Sequence, residues 1–562
     1  MAAARTQLKA GVVTLAGAAL WLVAAPPAAE RPIRFAYRPI DFRLESCETP
    51  ERHAPETMAG GVAIFDYNND GKLDVFFTNG ADIRTLKKSL PKYSNRLFEN
   101  DGTGHFKDVT AKAGLAGTGY DTGVAIGDYD NDGYEDIFVG GVYHNTLYHN
   151  NGDGTFTDVT AKAGLPTKPD PEFGPLWSVG GAWVDVNNDG LLDLLVVNYL
   201  QWDGSKEPVC LDNGHKEYCH PKFYGQTPNQ LFLNNGDGTF TDVSVSSGLR
   251  AHPGKGMGAG VADYDLDGRQ DFFIANDKLF NSLFHNLSHK EVGAKFEEVA
   301  FDANVALRED GKYISGMGVD FRDLDNDGYP DICLAALDHE TFPIYKNTGK
   351  GDFVEVTSQS KMGQLSGSMA GYSPMIADFD NDGWKDIFVS RGHVQSLLAS
   401  SHVLVAQNNT VFRNLGGMQF AALTAEAGFA SQAPARHRGS AMGDLDGDGR
   451  LDIVVSALSA PAEIWMNQSP GSNHWLELRL EGTRSNRDAI GARIKIVTKS
   501  GAQYNHVTTS VGYASSSAGP VHFGLGQNAS VDLVEIHWPS GVVQELKNQP
   551  GDRILKLKEP GP

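Results

Sequence analysis

The polar and apolar positions of this chain alternate in a unit that recurs seven times. Each unit opens on a short apolar run rich in glycine and alanine, such as GGVAIF, GVAIG or GAWV. A nine-residue acidic stretch follows, and then a strongly apolar, β-prone run: VFFTN, IFVGG, LLVVN, FFIAN, ICLAA, IFVS or IVVSA. Runs of this length and composition, bounded by polar turn residues, predict strands. A second block lies between the acidic stretches. It reads NRLFENDGTGHFKDVTAKAGL from Asn95, NTLYHNNGDGTFTDVTAKAGL from Asn145 and NQLFLNNGDGTFTDVSVSSGL from Asn229, with weaker copies from Asn281, Ile344 and Val411. It predicts two more strands split by an Asn/Gly/Asp turn. Four short strands per repeat describe one blade of a propeller, and seven copies predict a closed ring.

The seventh repeat breaks the pattern in an informative way. It has an acidic stretch at Asp444, a strand over Ile453–Ala457 and a third over Glu463–Asn467, and then the sequence changes character. Its fourth strand is missing. The alternating segment IRFAYRPIDFRL within Ile33–Leu44 is expected to supply it and so join the two ends of the ring. Beyond residue 468, WLELRL, ARIKIVT and VDLVEIHW alternate with period two, and glycines at 482, 491, 501, 512, 524, 526 and 541 punctuate them. These predict a small all-β module, a sandwich packed beside the ring. The expected fold is therefore all-β: a seven-bladed β-propeller over residues 30–468 and a β-sandwich-like domain over 469–562.

The acidic stretch has the form Asp-x-Asp/Asn-x-Asp-Gly-x-x-Asp. Calcium takes six to eight hard oxygens, many from carboxylates. Positions 1, 3, 5 and 9 can converge on one ion if the chain curls tightly, and Gly at position 6 permits the positive φ that the curl needs. The candidate ligands are Asp66, Asn68, Asp70 and Asp74 in loop 1; Asp128, Asp130, Asp132 and Asp136 in loop 2; and Asp185, Asn187, Asp189 and Asp193 in loop 3. Loop 4 offers Asp263, Asp265, Asp267 and Asp271, and loop 5 offers Asp323, Asp325, Asp327 and Asp331. Loop 6 offers Asp378, Asp380, Asp382 and Asp386, and loop 7 offers Asp444, Asp446, Asp448 and Asp452. Four acids packed together without a cation repel one another. The closing acid at position 9 rather than 12, with strands on both sides, excludes an EF-hand. About seven structural Ca2+ ions are expected.

Composition adds two constraints. Acids outnumber bases 70 to 48, and the net charge of −22 argues against nucleic acid as a partner. The N-terminus pairs Arg5 and Lys9 with the apolar run Ala10–Ala25 and the small residues PPAAE, the layout of a cleaved secretory signal over residues 1–29. No later run is long and apolar enough to cross a bilayer as a helix. The chain is thus expected to be secreted, periplasmic or cell-surface. In that setting Cys210 and Cys219, which flank a short polar segment, are expected to form a disulfide, with free thiols or a metal pair as the alternatives. Cys333 reads as a buried small hydrophobe and Cys47 has no evident partner.

The loops and their flanks resemble the FG-GAP or VCBS repeats of integrin α-chain-like propellers, over about Gly60 to Asn467. NHWLELRLEGTRSNRDAIGARIKI from Asn473, VGYASSS, VHFGLG and VDLVEIHWPSG resemble the ASPIC and UnbV domain. Together they look like the cartilage acidic protein family, which implies an extracellular calcium-binding propeller and no known reaction. Asn486, Arg487 and Gly491 could form a site, although a structural turn suits them better. His393 and Arg438 could face a shared funnel, against loop hydrogen bonding and surface charge as their simpler roles. No zinc signature, phosphate loop, nucleophile elbow or dinucleotide fingerprint is present. The expected function is a non-catalytic module that binds a protein or glycan. The alternative is a calcium-assisted, lyase-like enzyme acting on polysaccharide, which would need a strong base beside an open calcium position.

Overall fold

The computed structural model describes residues 33–290, 293–396 and 404–561; the expected export segment lies outside them. The fold is all-β and propeller-like, with only two short α-helices among the described residues, Thr110–Ala113 and Met362–Ser366. Seven antiparallel sheets each contain a meander of four repeat strands. In sheet 1 these are Val62–Phe65, Asp74–Phe77, Arg96–Asn100 and Phe106–Asp108. Sheet 7 consists of His437–Gly443, Asp452–Ala457, Pro461–Asn467 and the N-terminal strand Phe35–Arg43. Phe35 pairs with Asn467 and Tyr37 with Trp465, so the first strand of the chain completes the last sheet.

The innermost strands of sheets 2 to 6 are Asp121–Gly127, Ser178–Val184, Gly256–Ala262, Gly318–Arg322 and Gly371–Ala377. Each packs against the innermost strands before and after it, and that of sheet 7 packs against that of sheet 1. Their glycines permit this approach. A Cβ on Gly123 would lie 1.9 Å from the Val179 carbonyl oxygen, and one on Gly318 would lie 2.3 Å from that of Tyr372.

The C-terminal module is built from two sheets around one core. Three strands, Val521–Gly526, His474–Glu481 and Ile554–Lys558, face four others, Gly501–His506, Arg493–Thr498, Ser530–His537 and Val543–Pro550. Leu476, Leu478, Ile494, Ile496, Phe523, Val534 and Ile536 fill the space between them. The module does not sit beside the sheets. It covers the end that carries the acidic loops, and it sends a hairpin into their centre. Ser515–Ser517 of that hairpin pairs in parallel with the inner strand of sheet 1, Ala63 opposite Ser516 and Ile64 opposite Ser517. The hairpin also bonds outward: Val124 N–H donates to Ala514 O, Ser510 Oγ to Ala259 O, Val319 N–H to Gly512 O, and Met442 N–H to Ser517 Oγ. The centre is thus filled by the chain's own tail. Cys210 and Cys219 are disulfide-bonded in an insertion of sheet 3, Cys333 is fully buried and Cys47 is free and half-buried.

Candidate metal centres

Each acidic loop joins the first and second strands of its sheet, and a repeated set of backbone bonds holds it. In loop 2, Asp128 accepts from Asp132 N–H at 3.0 Å and Gly133 N–H at 2.7 Å, and Asp132 accepts from Tyr134 N–H at 2.9 Å. Asp136 at position 9 reaches back to accept from Tyr129 N–H at 3.2 Å. The pattern recurs around the molecule; loop 5 departs from it, Asp323 accepting from Asn326 N–H instead of Asp327 N–H. The position-6 glycines adopt positive φ as expected, from 80° to 98°. Position 4 is left-handed as well in all seven loops, with Asn in five, Leu266 in loop 4 and Gly447 in loop 7. Sequence reading had assigned this conformation to position 6 alone.

A buried asparagine at the end of each third strand ties neighbouring loops together. Asn150 donates from Nδ2 to Glu135 O of its own loop and to Tyr67 O of loop 1. Asn234, Asn286, Asn347, Asn414 and Asn467 make the same bond to the preceding loop, and Asn100 bonds Leu445 O of loop 7. These bonds run once around the seven sheets and return. The same asparagine letter before each turn was visible in the sequence and was not read as a tie.

The loops concentrate carboxylate oxygens that the protein balances only in part. In loops 2 and 4, oxygens of positions 1, 3 and 5 lie within 4.8 Å of one another, as do those of positions 1, 3 and 9 in loop 5. His149 and His285, on the third strands, join positions 3 and 9 of loops 2 and 4. Position 9 is buried in every loop. Burial pushes Asp74 up to about 8 and Asp136 and Asp271 up to about 7, opposed by their backbone and histidine hydrogen bonds. Burial raises Asp185 to about 7 and Asp128 to about 8, with the neighbouring carboxylates Asp189 and Asp488 adding to the respective shifts. Oδ1 of Asp325 and Oδ1 of Asp380 are buried without a hydrogen-bond partner. A divalent cation would supply what these groups lack, and oxygen-rich loops of this kind suit a hard one. The residues present therefore fit calcium.

The loops also form the docking face for the C-terminal module. Arg487 N–H donates to Asn131 Oδ1 at 2.7 Å, and Asp488 accepts from Asp128 N–H at 2.8 Å. Arg479, Arg487 and Arg493 approach the position-1 carboxylates of loops 1, 2 and 4 at 3.4, 3.9 and 3.6 Å. Asn486 closes a local turn by bonding both N–H and C=O of Ile490. The Asn486–Gly491 segment is thus a structural turn that also docks the module. A cavity of about 560 Å³ remains between loops and module; its lining includes Asp66, Asp378, Lys385, Glu477, Arg479 and His522 and, among the described residues, no phenylalanine, tyrosine or tryptophan.

At the other end of the axis, Arg438 is buried and carries no surface charge. It stacks 3.9 Å over the Tyr372 ring, donates to Thr57 O at 2.6 Å and His437 O at 2.8 Å, and reaches His393 O at 3.2 Å. His393 bonds Asp338 at 2.8 Å. Tyr513, at the hairpin tip, packs against Tyr372 at 5.2 Å and donates to Met58 O at 2.6 Å. The funnel expected there is filled.

Comparison with known proteins follows the same division. The FG-GAP-like repeat model matches residues 66–139, 130–196, 209–274 and 315–389, and the ASPIC and UnbV model matches 482–562. The chain is an FG-GAP-repeat protein with a C-terminal ASPIC/UnbV domain. This FG-GAP-repeat protein is homologous to cartilage acidic protein 1. It is 25% identical to the Homo sapiens protein over 87% of this chain and 70% of that one, and 27% identical to the Xenopus tropicalis protein over 87% and 71%. The Mus musculus match, 26% identical, covers 67% of this chain and 54% of the relative. Among solved structures, an Agrocybe aegerita lectin that recognises non-reducing terminal N-acetylglucosamine overlaps 72% of this chain and 87% of its own, at 16% identity and a TM-score of 0.39. BBS1N in complex with ARL6DN overlaps 78% of this chain and 98% of its own, at 10% identity and a TM-score of 0.38. Overlaps this weak say nothing of what this chain binds.

Proposed function

We propose that this chain is an exported, calcium-loaded, seven-bladed β-propeller that serves as a non-catalytic binding module for a protein or glycan. The observation that carries the calcium reading is the set of buried position-9 carboxylates, each held by backbone donors and, apart from Asp136 beside His149 and Asp271 beside His285, ion-paired with no protein cation among the described residues. In this reading Asp or Asn at positions 1, 3, 5 and 9 hold the ion, which neutralises the loop and fixes its curl. The ion acts as scaffold: the loops meet the C-terminal module, so neutralising them also steadies the docking face. Seven sheets and the returning asparagine bonds support a closed ring of seven blades. The disulfide supports export to an oxidising compartment.

A binding rather than catalytic role follows from the filled axis. Tyr513, Tyr372 and Arg438 occupy the place where a propeller takes a small ligand. Recognition then falls to the loops opposite the acidic end, where Phe280, Phe301 and Tyr313 are 44%, 56% and 52% exposed and Phe280 contacts Phe301 at 5.0 Å. The test is a glycan array and a panel of extracellular matrix proteins, run with the wild type and with Phe301→Ser. Binding that the substitution weakens supports the reading. Release of unsaturated products from a uronate polymer would overturn it in favour of a lyase.

A further inference from the structure

One position sets the loops apart from one another. It is the residue just before the tying asparagine on the third strand: Glu99, His149, Leu233, His285, Lys346, Arg413 and Met466 in sheets 1 to 7. In loop 5 the Lys346 ammonium bonds Asp325 and lies 2.8 Å from Asp327, so it bridges positions 3 and 5. In loop 6 the Arg413 guanidinium does the same, with Nε 2.7 Å from Asp380 and Nη2 2.7 Å from Asp382. Lys385 is buried at the boundary of these two loops, its Nζ 3.4 Å from Asn326 Oδ1. Positions 3 and 5 of loops 2 and 3 meet no lysine or arginine among the described residues; Asp130 faces His149, and Asp189 accepts from Asn187 Nδ2 at 3.0 Å. Lys72, Arg269 and Arg450 in loops 1, 4 and 7 reach position 5, and Arg479, Arg487 and Arg493 approach position 1 of loops 1, 2 and 4, but none of these six bridges two ligand carboxylates.

We infer that Lys346 and Arg413 are built-in counter-cations that make loops 5 and 6 the weak, exchangeable calcium sites of a set whose remaining loops bind tightly. The inference rests on the calcium reading above and deepens it. Calcium affinity in an oxygen-ligand loop depends on the charge that its ligands are free to turn to the ion. A fixed positive charge bridging positions 3 and 5 lowers that charge and repels the ion at short range. The ion is not shut out, because Asp325 Oδ1 and Asp380 Oδ1 stay buried and unpartnered, still open to a cation. The chain therefore carries calcium at two levels. A fall in calcium would first empty two adjacent loops and leave the rest of the scaffold loaded.

The experiment is a calorimetric titration of the chelator-stripped, full-length exported chain with calcium alone, repeated on Lys346→Met, Arg413→Met and the charge-keeping Lys346→Arg. The expected wild-type result is two classes, the weaker holding two ions. Each Met variant should move one ion into the tight class, an affinity gain of about tenfold or more for the removal of one adjacent charge. Lys346→Arg should leave the classes unchanged. A single uniform class in the wild type, or Met variants that leave the weak class intact, would overturn the inference while keeping the calcium reading. No calcium uptake at all would overturn both. The wild-type titration decides between one class and two even if a variant fails to fold.

Discussion

The two ends of the propeller-like fold bury polar groups to a similar depth and satisfy them differently. At the axial end Arg438 meets three carbonyls and a tyrosine ring, Tyr513 meets Met58 O, and Tyr199 donates to Asp277 at 2.6 Å. There the chain supplies its own partners. At the acidic end the position-9 carboxylates receive backbone bonds, only Asp136 and Asp271 also meet a histidine, and burial drives their protonation up. A buried charge without a counter-charge is costly. The difference teaches that one end is completed by the polypeptide, while the other gathers buried carboxylates that the proposed cations would complete.

The largest expected effect comes from reversing that balance with pH. Asp74 protonates near 8 and Asp136, Asp185 and Asp271 near 7 in the metal-free fold, whereas unfolded aspartate titrates near 4. Between those values the metal-free folded chain binds protons that the unfolded chain does not, so its stability falls as pH rises. A bound cation favours the ionised carboxylates and lowers their pKa values, so the loaded protein loses stability as pH falls. Melting temperatures of stripped and loaded protein, measured from about pH 5 to 7, should therefore slope in opposite directions. Parallel slopes would erase the contrast between the two ends.

The axial end is tested by Tyr513→Ala, which removes a buried ring and its bond to Met58 O. The expected cost is about 3–5 kcal/mol in denaturant unfolding, independent of calcium. A smaller effect follows for Asn150→Ala, which breaks a buried bond to loop 1 and a partly buried bond to loop 2. About 1–3 kcal/mol should be lost, and the loss should appear in stripped and loaded protein alike. The smallest effect is expected from replacing Cys210 and Cys219 with serine. That disulfide closes an insertion whose residues Val209 and Leu211 are 70% and 65% exposed, so global melting should shift by no more than about 2 °C while proteolysis of the insertion quickens.

Much of the acidic end was legible in the sequence because the loop chemistry is local. Nine consecutive residues carry both the candidate ligands and the glycine whose positive φ curls them together. The closing strand was legible for a similar reason: the alternation through Ile33–Leu44 matched a sheet short of one strand, and Phe35–Arg43 fills it. The axial plug was not legible. Its segment, Val-Gly-Tyr-Ala-Ser-Ser-Ser from Val511, is short, small and polar, and its burial comes from sheets far away in sequence. Hydrophobic periodicity records which face of an element is covered, and a hairpin surrounded on all sides has no such face. Arg438 misled for a related reason: a lone arginine in a polar run gives no sign that Thr57, Tyr372 and His393 converge on it. The module's docking on the acidic loops was equally hidden, since Arg479, Arg487 and Arg493 look like ordinary strand and turn residues until Asp66, Asp128 and Asp263 are placed opposite them.

The central claim is that added cations complete the acidic end. Its most direct test is thermal unfolding of one preparation in excess calcium and in excess chelator. Several sites, each contributing a few kcal/mol by mass action, should separate the two melting temperatures by about 10 °C or more, and restored calcium should close the gap. Coincident melting curves would contradict the account.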